Sequence, residues 1–264
     1  MTDIMMKFTV ALSCALAVLC GCSAVTGLSG TVETVGLEIM QPDYSSLSVS
    51  GGIHVEWSSD ASSATVRADV DVLPYVVAES SGNTLKLYLK DSRRFRNGTG
   101  RIDVCLPAVP GLDRVKLAGA SSFVSASPLS AVSFMMDLSG ASLFEADIDA
   151  EGKVLADISG ASTAVSGISA SSIDLNVSGA SSAMFRGTVS SFNVDVSGAS
   201  SVSSARSRVT AAEVSCDVSG ASSFYVDCTS KITGTSSGAS KVRYGNAGAV
   251  ASVSCSGASS VSAK

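Results

Sequence analysis

The 264-residue chain contains a single histidine, His54. A His-dependent triad or a zinc cluster has little to build on here. Val55 and Trp57 put that histidine on a strand, where a packed or surface imidazole is the expected role. No nucleophile elbow, phosphate loop or dinucleotide fingerprint stands in a fitting context. Aromatic residues make up only 5% and the net charge is −5. Few aromatics on an acidic chain argue against nucleic acid as a partner. The apolar run Phe8 to Leu19 has twelve residues, fewer than the roughly 20 a spanning helix needs. No cofactor is expected, and the chain reads as a non-enzyme.

What the chain does have is a repeat. Near-copies of Ser-Gly-Ala-Ser recur with glycines at 119, 140, 160, 179, 198, 220, 238 and 257, at intervals of 18 to 22 residues. A fixed period near twenty is the mark of a repeat architecture. Two residues before the glycine stand Leu138, Ile158, Val177, Val196 and Val218, and four before it Met136, Ala156, Leu175, Val194 and Cys216. Between them lie Asp137, Asp157, Asn176, Asp195 and Asp217. Apolar and polar residues therefore alternate with the period of a half-buried strand. Four residues past the glycine, Phe123, Phe144, Ala164, Ala183, Val202 and Phe224 suggest a second inward strand.

Twenty residues cannot make a self-sufficient sheet, but they can make one turn of a coil that pairs with the turns above and below. The expected fold is all-β: a single-stranded, right-handed parallel β-helix of eight coils over residues 114–264. At about 4.8 Å per coil it would be a rod of roughly 40 Å. A disordered Ser/Gly linker would not keep a Val/Ile/Phe column or an Asp at fixed offset.

Met5-Met6-Lys7, the apolar run and Leu19-Cys20-Gly21-Cys22 describe an export signal over residues 1–21. The last four resemble a bacterial lipobox with Cys22 as the lipidated first residue, and Ser23 after it resembles an outer-membrane sorting signal. Residues 22–34 read as a tether. Of the remaining cysteines, Cys216, Cys228 and Cys255 all fall at positions read as inward, Cys228 in line with Ile148 and Ile168. Cys216 and Cys255 lie two coils apart, roughly 9–10 Å, beyond disulfide reach. All three read as small buried hydrophobes, with a Cys216–Cys228 bond left open.

Residues 35–113 differ. Gly51-Gly52-Ile53-His54-Val55-Glu56 alternates, Leu73-Pro74-Tyr75 punctuates, Leu85 to Leu89 is a strand, and Arg93, Arg94 and Arg96 with Asn97-Gly98 form a basic turn. Together they read as a strand-rich cap closing one end of the rod. With the serial Ser-Gly-Ala-Ser coils, these segments resemble the DUF2807 family of Bacteroidetes-type lipoproteins, over roughly residues 35 to 262. Its usual label is "putative auto-transporter adhesin, head GIN domain", and its GIN signature stands here as Gly52-Ile53-His54. The resemblance implies the right-handed β-helix and an envelope location, and lends no established biochemical activity.

The Asp137, Asp157, Asn176, Asp195, Asp217 column is the sharpest chemical candidate. Stacked carboxylates repel unless a cation or hydrogen bond intervenes. Lys116 and Asn176 relieve the repulsion, and a Ca²⁺ ladder would want six to eight oxygens per site. A solvated polar ladder is the favoured reading, with cation binding at the four aspartates, or glycan contact at Asn176, Arg206 and Arg208, as alternatives. Polysaccharide-cleaving β-helices build clefts from long loops, and here the longest interval, around Ser203 to Ala212, exceeds the mean by only about two residues. The expectation is an outer-membrane, lipid-anchored adhesin or display module for a glycan, host or envelope protein. Self-association through the C-terminal edge near Lys264 is the competing role.

Overall fold

The corner tetrapeptide explains itself residue by residue in the computed structural model, which describes residues 28–95, 98–203, 208–245 and 249–263. At every corner the glycine has φ between +69° and +78°, a left-handed conformation that side chains resist. A Cβ on Gly160 would sit 2.5 Å from the Gly140 carbonyl oxygen of the coil beneath. That close approach lets the following alanine donate downward: Ala141 N–H reaches Gly119 O at 2.6 Å and Ala161 N–H reaches Gly140 O at 2.7 Å. The serine after it turns inward and is buried. Ser142 Oγ donates to Ser139 O at 2.7 Å, and Ser121 Oγ to Ala118 O at 2.9 Å. Glycine admits the turn, alanine bonds to the next coil, and at Ser121, Ser142 and Ser240 the serine ties off the turn's own carbonyl.

Three sides follow from this corner. Before it, Phe134–Leu138 lies parallel between Arg114–Leu117 and Lys153–Ile158, with Leu138 level with Leu117 and Ile158. After it, Leu143–Glu145 lies between Ser122–Ser125 and Thr163–Ser169, with Phe144 level with Phe123 and Ala164. On the third side Leu129–Ala131 pairs with Ile148–Ala150, and Ile148 with Ile168. The fold is thus an all-β solenoid of about 8 turns, about 19 residues apart. Its interior is made of files of like residues: Phe123 stacks on Phe144 with centroids 5.4 Å apart and planes 9° from parallel. The phase left open across the glycine resolves so that the second and fourth residues on either side of it, such as Met136, Leu138, Ser142 and Phe144, all point inward.

The N-terminal end is built out of order. β1 (Val32–Gly36), β2 (Ser46–Val49), β3 (Ile53–Ser58), β4 (Thr65–Asp69), β5 (Val76–Ser81), β6 (Thr84–Leu89), β7 (Ile102–Pro107), β8 (Arg114–Leu117) and β9 (Ser122–Ser125) occur in that chain order. β2 and β3, joined through Gly51-Gly52, form a coil that lies parallel on β8 and β9. The chain then passes to the far side, where β6 and β7 make a further parallel coil against β2 and β3. Antiparallel β5 covers β6, and antiparallel β4 and β1 cover β7. This mixed edge lies at the N-terminal end of the ladder.

Two cysteine placements differ from expectation. Cys228 is level with Ala211 rather than with the Ile148–Ile168 file, because the run from Phe224 into this side is shorter than in the earlier coils. It is buried all the same. Cys255 is exposed, because Val250–Cys255 is the outer strand of the last described coil and no further coil covers it. Cys105, Cys216, Cys228 and Cys255 are all free thiols. Burial pushes the Cys216 thiol up to about 12, with Asp217 and Cys228 adding to the shift.

Candidate functional site

The aspartate column exists as a column. Asp137, Asp157, Asn176, Asp195 and Asp217 lie level on successive coils, with Lys116 below and Thr235 above. It is not a bare acidic ladder. Lys116 Nζ reaches Asp137 Oδ2 at 2.6 Å, Asn176 Nδ2 donates to Asp157 Oδ1 at 2.7 Å, and Thr235 Oγ1 donates to Asp217 Oδ1 at 2.6 Å. Each of these carboxylates thus takes a donor from an adjacent coil, which offsets the repulsion between like charges. Among the described residues, no group of three or more His, Cys, Asp or Glu is placed to hold a metal ion.

Two residues before Asn176 on the same strand, Asp174 takes a hydrogen bond from Asn193 Nδ2 at 2.9 Å and an ion pair from Lys153. Burial raises its pKa, but the Lys153 and Asn193 contacts outweigh that and hold the carboxyl below its ordinary range.

A second constellation lies on the third side and was not singled out from sequence. Asp147 and Arg186 stand two coils apart, with Gly167 level between them. Because Gly167 has no side chain, Arg186 Nη2 passes over it to reach Asp147 Oδ1 at 2.8 Å and Oδ2 at 3.1 Å, while Gly167 N–H donates to Asp147 Oδ1 at 2.7 Å. A Cβ on Gly167 would lie 2.8 Å from that oxygen. These residues edge a shallow hollow of about 520 Å³ that also takes in Pro128, Asp149 and Thr188. The signal was present in the spacing: Asp147, Gly167 and Arg186 each stand seven residues after a corner glycine.

Arg208 continues this side. It precedes Val209, which is level with Gly187, as Arg186 precedes Gly187 itself. Its Nη1 bonds Asp227 Oδ1 at 2.7 Å, and its side chain is only 14% exposed, which leaves little of its guanidinium open to an incoming ligand. Arg206 and Cys22 lie outside the described residues, as do the signal segment and Lys264. His54, half-buried on β3, shares a hydrogen bond with Ser122 Oγ on the next coil. It acts as a cross-coil tie.

A model of the family described as "Putative auto-transporter adhesin, head GIN domain" (DUF2807) matches residues 43–248. The chain belongs to this family. The match takes in both the out-of-order end coils and the sequential ones. Solved structures with the same fold include a putative adhesin from Parabacteroides distasonis, at TM-score 0.67 and 19% identity over 89% of this chain and 94% of that one. Another, from the same organism, is called a putative lipid binding protein, at TM-score 0.70 and 20% identity over 90% and 98%. A putative adhesin from Parabacteroides merdae aligns at TM-score 0.70 and 16% identity over 89% and 95%. At such identities the likeness speaks for fold alone. No curated protein matches the chain in sequence. Among the described residues of this DUF2807 chain, no helix is long and apolar enough to cross a membrane.

Proposed function

We propose that this DUF2807 chain is a lipid-anchored rod of the outer membrane that binds and displays without catalysing, and that its ligand is a glycan or a glycan-bearing surface. The observation that carries this reading is the unbroken parallel ladder from β6 and β7 to Val250–Cys255. It makes long faces of regularly spaced side chains instead of a cleft. A catalytic β-helix needs walls that exclude water, and coils of 18 to 22 residues spend nearly all their length on the three sides and the corner. The third-side hollow offers what a sugar's hydroxyls can use: carboxylates at Asp147 and Asp149, a guanidinium at Arg186, and a hydroxyl at Thr188.

The anchor is tested by feeding a lipid label to cells producing the chain: label should appear and should vanish with Cys22→Ser. The ligand is sought on a glycan array with the full chain. Saturable binding that falls about tenfold or more with Asp147→Asn plus Arg186→Gln supports the hollow. Shortening of any arrayed glycan would defeat the non-catalytic reading. A second reading, self-association, has its own observation. Val250–Cys255 and Ser260–Ala263 are each paired on one side only among the described residues, and Val250 is 65% exposed. An apparent mass that rises with concentration in light scattering would favour it.

A further inference from the structure

We propose that the basic loop between β6 and β7 seats the rod end-on against the anionic headgroups of the membrane that holds its N-terminus. The inference rests on the anchor reading above for its orientation. Residues 90–101 contain five of the chain's 18 Lys and Arg but only one of its 23 Asp and Glu. The loop is thus a local concentration of positive charge in an acidic chain. Its position matters more than its composition. β6 and β7 form the last parallel coil, so this loop replaces the tight glycine corner next to the end of the rod, where only the antiparallel β5, β4 and β1 edge lies beyond it.

The first residues of the loop are tied to the cap. Arg94 Nη1 donates to Tyr75 Oη at 3.0 Å while its guanidinium lies 5.6 Å over the Tyr75 ring. Tyr75 in turn packs edge-on against buried Phe95 at 5.2 Å. Lys90 N–H donates to Tyr75 O at 2.8 Å. Lys90, Arg93 and Arg94 are all exposed on this post. Nearby carboxylates are engaged elsewhere. Asp69 accepts from Ser29 Oγ and Gly30 N–H, Asp71 accepts from Ser29 N–H, and Asp103 pairs with Arg67 and Arg101. Asp91 and the Asp103 partner of Arg101 subtract from the loop's charge, which leaves Lys90, Arg93 and Arg94 to carry it among the described residues.

The anchor is close by. Leu28, partly buried against the core, stands beside Gly100 of the same loop; a Cβ there would be 3.4 Å from Leu28 Cδ1. Six residue steps separate Leu28 from Cys22, which at full extension span only about 20 Å. A lipid on Cys22 therefore keeps the loop within a short distance of the surface. Charges act there over a screening length of about 8–10 Å, and polybasic segments gain from anionic headgroups.

The test uses the full chain reconstituted into vesicles, with flotation scored before quenching is read and the lipid on Cys22 assayed separately by the labelling experiment. Failure of the labelling experiment and failure of this one are therefore separate results. Ser92→Trp reports on the loop and Ser254→Trp on the far end, above a background from Trp57, which is 3% exposed. Phosphatidylcholine vesicles carry a trace of lipid with a nitroxide on its headgroup, with or without phosphatidylglycerol. At low salt, quenching of the Ser92→Trp chain should be roughly twofold or more stronger with phosphatidylglycerol. High salt, or Lys90→Glu with Arg93→Glu, should remove the difference. The milder Lys90→Gln with Arg93→Gln should reduce it while leaving the melting temperature unchanged. Equal quenching on both vesicles, or quenching that survives charge reversal, overturns the proposal. So does Ser254→Trp quenched as strongly as Ser92→Trp, which would mean a rod lying flat. A chain that floats with neither vesicle overturns it together with membrane attachment.

Discussion

At the corner, coil after coil repeats glycine, alanine and serine, while the level file on the third side reads Asp147, Gly167, Arg186 and Arg208. Both positions stack at the same coil spacing, yet one is uniform and the other is not. The reason is what each side chain meets. A corner glycine meets the backbone of the coil beneath, which cannot move without unpairing the ladder. Gly167 on the third side meets the tip of another side chain, Asp147, which can swing into solvent. Uniformity therefore marks where stacking is enforced, and variety marks where the rod is free to acquire a binding surface.

The strongest way to break the stacked interior is to empty it just past a corner. Phe144 is fully buried and sandwiched by Phe123 on one side and Phe134 on another. Phe144→Ala should cost about 4 kcal/mol in denaturant unfolding. Gly160→Ala at the corner comes next. It combines an unfavourable positive φ with a Cβ 2.5 Å from Gly140 O, and should cost roughly 3 kcal/mol. If Gly160→Ala were silent, the corner would not be the enforced element.

That corner was legible in the sequence because nothing there varies: the glycine period, the Val/Leu/Phe files and the level Asp137–Asp157–Asn176 column all follow from one offset. Legibility failed where coils depart from a single length or from the motif. Equal spacing puts Cys228 in the Ile148–Ile168 file, but the run from Phe224 into this side is shorter than in the earlier coils, and Cys228 comes level with Ala211. Ser50-Gly51-Gly52 makes the same turn as the later corners, yet without the Ala-Ser half it did not read as one. The return of the chain to place β6 and β7 outside β2 and β3 leaves no periodic trace, since it depends on tertiary pairing alone. The Asp147–Gly167–Arg186 bridge was concealed for another reason: its residues interact across two coils, and single-coil alignment shows only neighbours.

The buried thiol at Cys216 gives an intermediate effect tied to pH. Its folded pKa is raised from 9.0 to about 12. The unfolded chain therefore releases the proton first as pH rises, and stability present below about 9 is progressively lost between there and about 12. Cys216→Val, matching Val194 one coil below, should flatten the alkaline limb of a stability-versus-pH curve. Alkylation at neutral pH should reach Cys255, leaving Cys216 and Cys228 unmodified until the rod unfolds. Rapid labelling of Cys216 in the folded protein would contradict its burial.

The smallest expected effect sharpens the comparison most, because it repeats one substitution in the other setting. Gly167→Ala adds the same methyl group as Gly160→Ala, but Gly167 lies outside the left-handed region and its closest neighbour is a carboxylate oxygen of Asp147. Asp147 is half exposed and Arg186 more than half, so the pair can separate into water at little expense. Unfolding should change by less than about 1 kcal/mol, although the Gly167 N–H to Asp147 hydrogen bond is disturbed and the Arg186 guanidinium released. A glycan ligand bound in the hollow would register that release as weakened affinity with stability intact. Gly160→Ala should do the reverse, lowering stability while leaving the hollow's residues in place. If the two alanines cost the same, stacking is enforced on every side of the coil, and the third side has no freedom to specialise.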